Sequence, residues 1–322
     1  MKTLLVALAC AVSVLGVALL PAPVSAQDVT ISDWQGREAK LTERTVDSDG
    51  VSVVYYTAGE GPLVVFVHSI TGPWFDWRNQ IPALAEHYQV AAMSTRGTDK
   101  SDRPEGVEHY TMAKISSDID AIILDLGQEK AILVGQDSGG FYAWNFAMTH
   151  PERTDRLIAI GSIHPAGLLR ELARSEEQQQ ASMFQRGMQE NPEAGATFGE
   201  RVRSRPARPG DSPELTQMRA DAYERLYAES IVNFYKANWP RPPFSEETEG
   251  FGFRLGTFPP VTAPTLVIYG ENDGAFLPST LNDIWSYIDN KVTVEVLPGV
   301  GHGPHTEVPE IVTPRILAWL AE

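Results

Sequence analysis

An aspartate stands where a strand turns sharply into a helix. The apolar run 131–134 reads as a short buried strand, Gly135-Gln136-Asp137-Ser138-Gly139-Gly140 as a tight turn, and 141–148 as a helix. Glycines remove the Cβ clashes around such an elbow, and its central side chain is held exposed and strained. A carboxylate placed there can attack an electrophilic carbon and become an ester. It then needs donors for the charge on its carbonyl oxygen, a base to activate water, and a group to orient that base.

The base expected here is His302, in the glycine-flanked loop Pro298-Gly299-Val300-Gly301-His302-Gly303; His305 is its competitor, closer to the final helix. The orienting acid is Asp273, in Gly270-Glu271-Asn272-Asp273-Gly274, just past a strand's carboxyl end, where ligand-facing side chains gather in open α/β sheets. Glu271 is the bland alternative, a solvated turn residue. The chain order nucleophile, acid, histidine fits the elbow arrangement. The oxyanion donors are expected to be two backbone amides, that of Ser138 and that of Ile70, in the loop His68-Ser69-Ile70-Thr71-Gly72-Pro73. His68 is read as holding that loop's shape.

The surrounding elements alternate. Strands are expected at 51–56, 63–67, 90–93, 131–134, 157–160, 264–269 and 292–296, and helices at 75–87, 110–126 and 311–320. This rhythm implies an α/β fold with a mostly parallel sheet covered on both faces. It stops near His164-Pro165 and resumes after about Gly256; between them the composition shifts to Arg, Glu, Gln, Met and aromatics. The chain thus divides into a core over 27–163 and 257–322, interrupted by a mostly helical cap over 164–256.

The first 26 residues have the plan of a secretory signal peptide: Lys2, an apolar run from Leu4 to Leu20, and small residues ending in Val24-Ser25-Ala26. A periplasmic or secreted protein is expected, with no membrane attachment once the leader is removed. The single cysteine, Cys10, lies in that leader, so the mature chain has no disulfide, thiol nucleophile or thiolate metal site. A net charge of −16 argues against nucleic acid or anionic lipid as partners. No internal repeat is evident.

Together the elbow aspartate, the His-led loop running into Pro73-Trp74-Phe75-Asp76-Trp77-Arg78, the segment Arg96-Gly97-Thr98-Asp99-Lys100-Ser101-Asp102-Arg103-Pro104 and the Asp273/His302 pair resemble the epoxide hydrolase and haloalkane dehalogenase branch of the α/β-hydrolase fold. The resemblance implies a cofactor-free, metal-free enzyme that uses water on a small hydrophobic substrate. In the epoxide hydrolases cap tyrosines protonate the opening epoxide. The segment 231–239 looks like the motif that carries one of them, which makes Tyr235 the ring-opening acid. The position of its partner falls near Phe184, which has no hydroxyl, with Tyr223 and Tyr227 as substitutes. Ser69 stands where the family has glycine. Dehalogenases hold the leaving halide with a Trp after the nucleophile and an Asn in the histidine loop, where this chain has Ser138 and Ile70. Opening of an epoxide to a diol through an aspartyl ester is therefore expected, with haloalkane or haloacid dehalogenation as the alternative. A serine esterase built on Ser138 fits less well, because Gln136 occupies the place of its preceding glycine. A non-catalytic binding protein on the same scaffold is the remaining reading.

Overall fold

The computed structural model describes residues 28–204, 211–226 and 228–322. The expected leader over 1–26 and Tyr227 lie outside them.

Among the described residues the strands β1 (Asp28–Ser32), β2 (Glu38–Ser48), β3 (Val51–Ala58), β4 (Leu63–Val67), β5 (Gln89–Met93), β6 (Ala131–Gln136), β7 (Thr154–Ile160), β8 (Thr265–Gly270) and β9 (Val292–Leu297) form one sheet. Their order across it is β1-β2-β3-β5-β4-β6-β7-β8-β9. The first three run antiparallel to their neighbours, and the rest are parallel. The central strands are buried on both faces, which is why they read as unbroken apolar runs. Alternate residues serve two cores. Val65, Val67, Leu133 and Val267 pack with Ile119, Phe146 and Ile231 on one side. Val64, Phe66, Val134 and Ile268 pack with Ile81, Val312 and Ile316 on the other. Each such aliphatic side chain contributes about 1.5–3 kcal/mol on full burial.

The sheet's register sets the site. Val67 lies opposite Gly135, Gln136 opposite Ile160, and Gly270 opposite Leu297. The carboxyl ends of β4, β6, β8 and β9 therefore finish at one rim, and the loops carrying Ser69, Asp137, Asp273 and His302 start there. Between β7 and β8 the chain runs through helices Pro165–Arg174, Glu176–Ala181, Met183–Glu190, Ala194–Arg203, Pro213–Glu224 and Ala228–Asn238. Asn238 ties this segment to the sheet domain: its amide donates to Tyr110 O at 2.7 Å, and its Oδ1 accepts from Met112 N at 2.9 Å.

One expectation needs correction, and two strands go unmarked by any apolar run: residues 28–48 hold β1 and β2. In β2 Ala39 and Leu41 alternate with exposed Glu38 and Lys40, the pattern of an antiparallel edge with one face in water. The helix expected at 75–87 is instead a 3-10 helix, Trp74–Asn79, and a single α-turn, Ile81–Leu84. Trp74, Phe75 and Trp77 are all buried, so the segment has no solvent face of its own. Pro82, lacking an amide hydrogen, falls where a new turn begins.

Candidate active site

Asp137 adopts φ 52° and ψ −120° between β6 and the helix Ser138–Thr149. That region is costly for a non-glycine residue and is tolerated where the surroundings enforce it. The enforcement is visible two residues on: a Cβ at Gly139 would lie 2.2 Å from the carbonyl oxygen of Val67. Only a glycine lets the helix start so close to β4, and that approach lifts Asp137 above the sheet rim.

Asp137, His302 and Asp273 meet as expected. His302 Nδ1 donates to Asp273 Oδ2 at 2.8 Å, and His302 Nε2 lies 3.3 Å from Asp137 Oδ1. Asp273 is buried, and its other oxygen accepts the amides of Ala275 at 2.8 Å and Phe276 at 3.1 Å. An aspartate binding its own downstream backbone is fixed in one rotamer, and the histidine is fixed with it. His305 is also buried but packs against Trp77, ring centroids 4.5 Å apart, away from this contact. Glu271 accepts the Gly299 amide at 3.0 Å, bracing the histidine loop.

The charges are coupled. Burial pulls the His302 pKa down, but its hydrogen bonds to Asp137 and Asp273 and their charges outweigh that and raise it to about 10. Burial pushes the Asp137 pKa up, and His302, the Ser69 hydroxyl and the Ser138 amide overcome it, leaving the carboxyl below its usual range. Both shifts favour a protonated His302 beside an ionised Asp137.

The loop after β4 departs from expectation. The Ile70 amide does not face Asp137; it donates to Ser138 Oγ at 2.6 Å. It is the Ser69 hydroxyl that donates to Asp137, at 2.6 Å to Oδ2. The difference is one of reach: Ser138 Oγ meets the Ile70 amide, and Ser69 Oγ meets the carboxylate. His68 holds the loop, as expected: its Nδ1–H donates to Ser69 O at 2.6 Å, and its Nε2 accepts the Thr95 amide at 3.1 Å. Arg96 is likewise structural, fully buried against Asp118 at 2.8 Å from Nε.

Asp137 and His302 open into a cavity of about 300 Å³ whose far wall comes from the helices between β7 and β8: Phe184, Gln185, Phe198, Arg201 and Tyr235. Tyr235 is 3 % exposed. Burial, and then the charge of Asp137, push its pKa well above the usual tyrosine value, so it stays a proton donor. Phe184 meets the Tyr235 ring edge-on at 5.9 Å. Tyr223 is buried, its hydroxyl unpartnered among the described residues, and it does not line this cavity. Gln185 and Arg201 were not singled out in the sequence. Gln185 is 6 % exposed, its Oε1 unpartnered among the described residues, and the Arg201 guanidinium lies 5.1 Å over the Phe198 ring. Neither carries a local signal, because only the packing of separate helices brings them to Asp137.

Comparison with known proteins agrees with this geometry. The sequence profile of the alpha/beta hydrolase fold matches residues 62–309. Epoxide hydrolase 1 of Caenorhabditis elegans is 27% identical over 306 residues, covering 90% of this chain and 71% of that protein. Epoxide hydrolase 3 of Mus musculus is 27% identical over 307 residues, covering 88% and 77%. The structure of a mutant epoxide hydrolase from Bacillus megaterium superposes with a TM-score of 0.77 at 27% identity, covering 87% of this chain and 100% of that one. A second mutant of that enzyme, complexed with its product (R)-3-[1]naphthyloxy-propane-1,2-diol, gives 0.75 at 26% identity, over 87% and 100%. An aspartate at the elbow, a histidine and acid behind it, and these relatives converge: the chain belongs to the alpha/beta hydrolase fold family and is a hydrolase of the epoxide hydrolase-like kind.

Proposed function

We propose that this protein opens epoxides to diols through an ester on Asp137. The observation that carries the reading is the Asp137 carboxylate on a strained elbow, 3.3 Å from a histidine that is itself oriented by a buried acid. Asp137 Oδ1 attacks an epoxide carbon, the ring C–O bond breaks, and Tyr235 gives its proton to the departing oxygen. Esterification removes the Asp137 charge and its hold on the His302 Nε2 proton; that proton passes to solvent, to be regained when the carboxylate is restored, and the imidazole is freed to act as a base. It takes a proton from water, whose oxygen attacks the ester carbonyl while the Ser138 amide helps to hold the oxyanion. The product leaves with Oδ1, taking the proton back from His302. The proton left on the regenerated carboxyl restores Tyr235, so the sum is epoxide plus water to diol.

The segment 164–256 is proposed as the cap that closes over the substrate, and the apolar leader as the signal for export to the periplasm or beyond. A serine esterase is not favoured: Ser138 is 1 % exposed and its Oγ is engaged by the Ile70 amide, not by His302.

The test uses a naphthyl glycidyl ether, chosen because the Bacillus megaterium relative releases a naphthyloxy diol. His302→Gln should trap a mass adduct on the peptide holding Asp137, and the unaltered protein should release the diol. In heavy-oxygen water the first turnover should label Asp137, not the product. Halide release from haloalkanes with no diol from epoxides would replace this reading by dehalogenation. Hydrolysis of p-nitrophenyl esters that survives Asp137→Ala but not Ser138→Ala would replace it by an esterase.

A further inference from the structure

The Asp137 carboxylate has two distinguishable oxygens. Oδ1 lies 3.3 Å from His302 Nε2, and Oδ2 receives the Ser69 hydroxyl at 2.6 Å. In the aspartyl-ester mechanism, on which this assignment rests, Oδ1 is the attacking atom and Oδ2 becomes the ester's carbonyl oxygen. We propose that the Ser69 hydroxyl is the second oxyanion donor of this hydrolase, in the place of the Ile70 backbone amide.

Three observations support the assignment. The Ile70 N–H is already spent: it donates to Ser138 Oγ at 2.6 Å, and Ser138 is 1 % exposed, so water does not compete for that bond. The Ser69 hydroxyl, in turn, is polarised for donation. Its oxygen accepts the Thr71 amide at 3.3 Å and lies 3.1 Å from Thr71 Oγ1, which leaves its own hydrogen for Asp137. Finally, the backbone beneath it is braced, with Ser69 O accepting from His68 Nδ1 at 2.6 Å and from the Gly72 amide at 2.8 Å. A donor fixed before the reaction costs no reorganisation when charge develops. The two serines thus act as a linked pair: Ser138 Oγ takes up the Ile70 amide, and Ser69 Oγ supplies the donor that the amide would otherwise be.

In the hydrolytic step the water oxygen bonds to Cγ of Asp137, its proton goes to His302 Nε2, and the carbonyl π pair moves onto Oδ2. Ser69 O–H and Ser138 N–H hold that oxyanion. The pair then returns, the Cγ–Oδ1 bond breaks, and the leaving alkoxide takes its proton from His302. In the resting enzyme the same hydroxyl restrains the nucleophile, so its removal should slow hydrolysis of the ester far more than its formation.

Rapid-quench mass measurement of the full chain with naphthyl glycidyl ether separates the two steps. In Ser69→Ala the adduct on Asp137 should form within a few-fold of the usual rate and decay about 10²-fold more slowly, as expected for loss of one oxyanion donor. Ser69→Cys keeps the volume with a weak donor and should behave in the same way, which guards against a loop disturbed by alanine. Decay at the unaltered rate in either variant overturns the assignment. Should no adduct form on Asp137 even in His302→Gln, the ester reading itself is at fault.

Discussion

At the residue scale the site is an exercise in balanced charge. His302 is held between Asp137 and Asp273, and its pKa, raised to about 10, ties stability to pH. A group whose pKa rises on folding contributes stability that is fully present below its unfolded value and is lost as pH climbs through its folded value. Denaturant midpoints should therefore fall between about pH 6.5 and pH 10. His302→Gln should flatten that part of the profile, and an unchanged slope would refute the coupling. Asp273→Asn tests orientation. It keeps the side chain's shape but removes the charge facing Nδ1, so ester hydrolysis should slow by about 10²–10⁴, the usual worth of a general base, while substrate binding holds. Asp137, Asp273 and His302 were legible in the sequence because strand ends and glycine-flanked loops mark them. The direction of the Ile70 amide was not legible, since the Ser138 side chain, 68 residues away, decides it.

At the scale of elements, the elbow depends on how closely the helix Ser138–Thr149 approaches β4. Gly139→Ala would put a methyl group 2.2 Å from Val67 O, where only backbone can yield. We expect a loss of at least about 1–3 kcal/mol, read as a lower thermal midpoint, together with loss of activity as Asp137 shifts. The central strands β4, β5, β6, β7 and β8 declared themselves in apolar runs, because parallel strands buried on both faces must be apolar throughout. The edge pair β1 and β2 did not, because half of each faces water and polar residues dilute the pattern. The segment after β4 misled for the opposite reason: wedged on all sides, it needs no amphipathic helix to bury its aromatics.

At the scale of the whole molecule, the helical segment between β7 and β8 is fastened over the rim by buried ion pairs. Arg219, on the helix Pro213–Glu224, donates to Asp76 Oδ1 at 2.6 Å and to Asp211 Oδ2 at 3.0 Å, and lies over the Phe75 ring. Asp76 comes after the Ser69 loop in the chain, so this contact ties the helical segment to the stretch that follows that loop. Arg219→Met would remove a buried ion-pair partner from Asp76 and Asp211 and should lower the urea midpoint. Arg78, 3.6 Å from Asp211, softens the loss. A midpoint within error of the unaltered protein would show that the clamp carries no net stability.

Local pattern alone was enough to establish an α/β chain with an aspartate elbow, its acid and its histidine, since period, glycine placement and strand ends are written within a few residues of each functional group. What closes the cavity and which atoms face Asp137 were decided only on folding. The sheet register brings four strand ends to one rim, and the packing of distant helices sets Tyr235, Gln185 and Arg201 against them. The exchange between Ser69 and Ser138 belongs to that second class. A hydroxyl's partner depends on ångström-scale reach across the site, and residue identity by itself does not specify it.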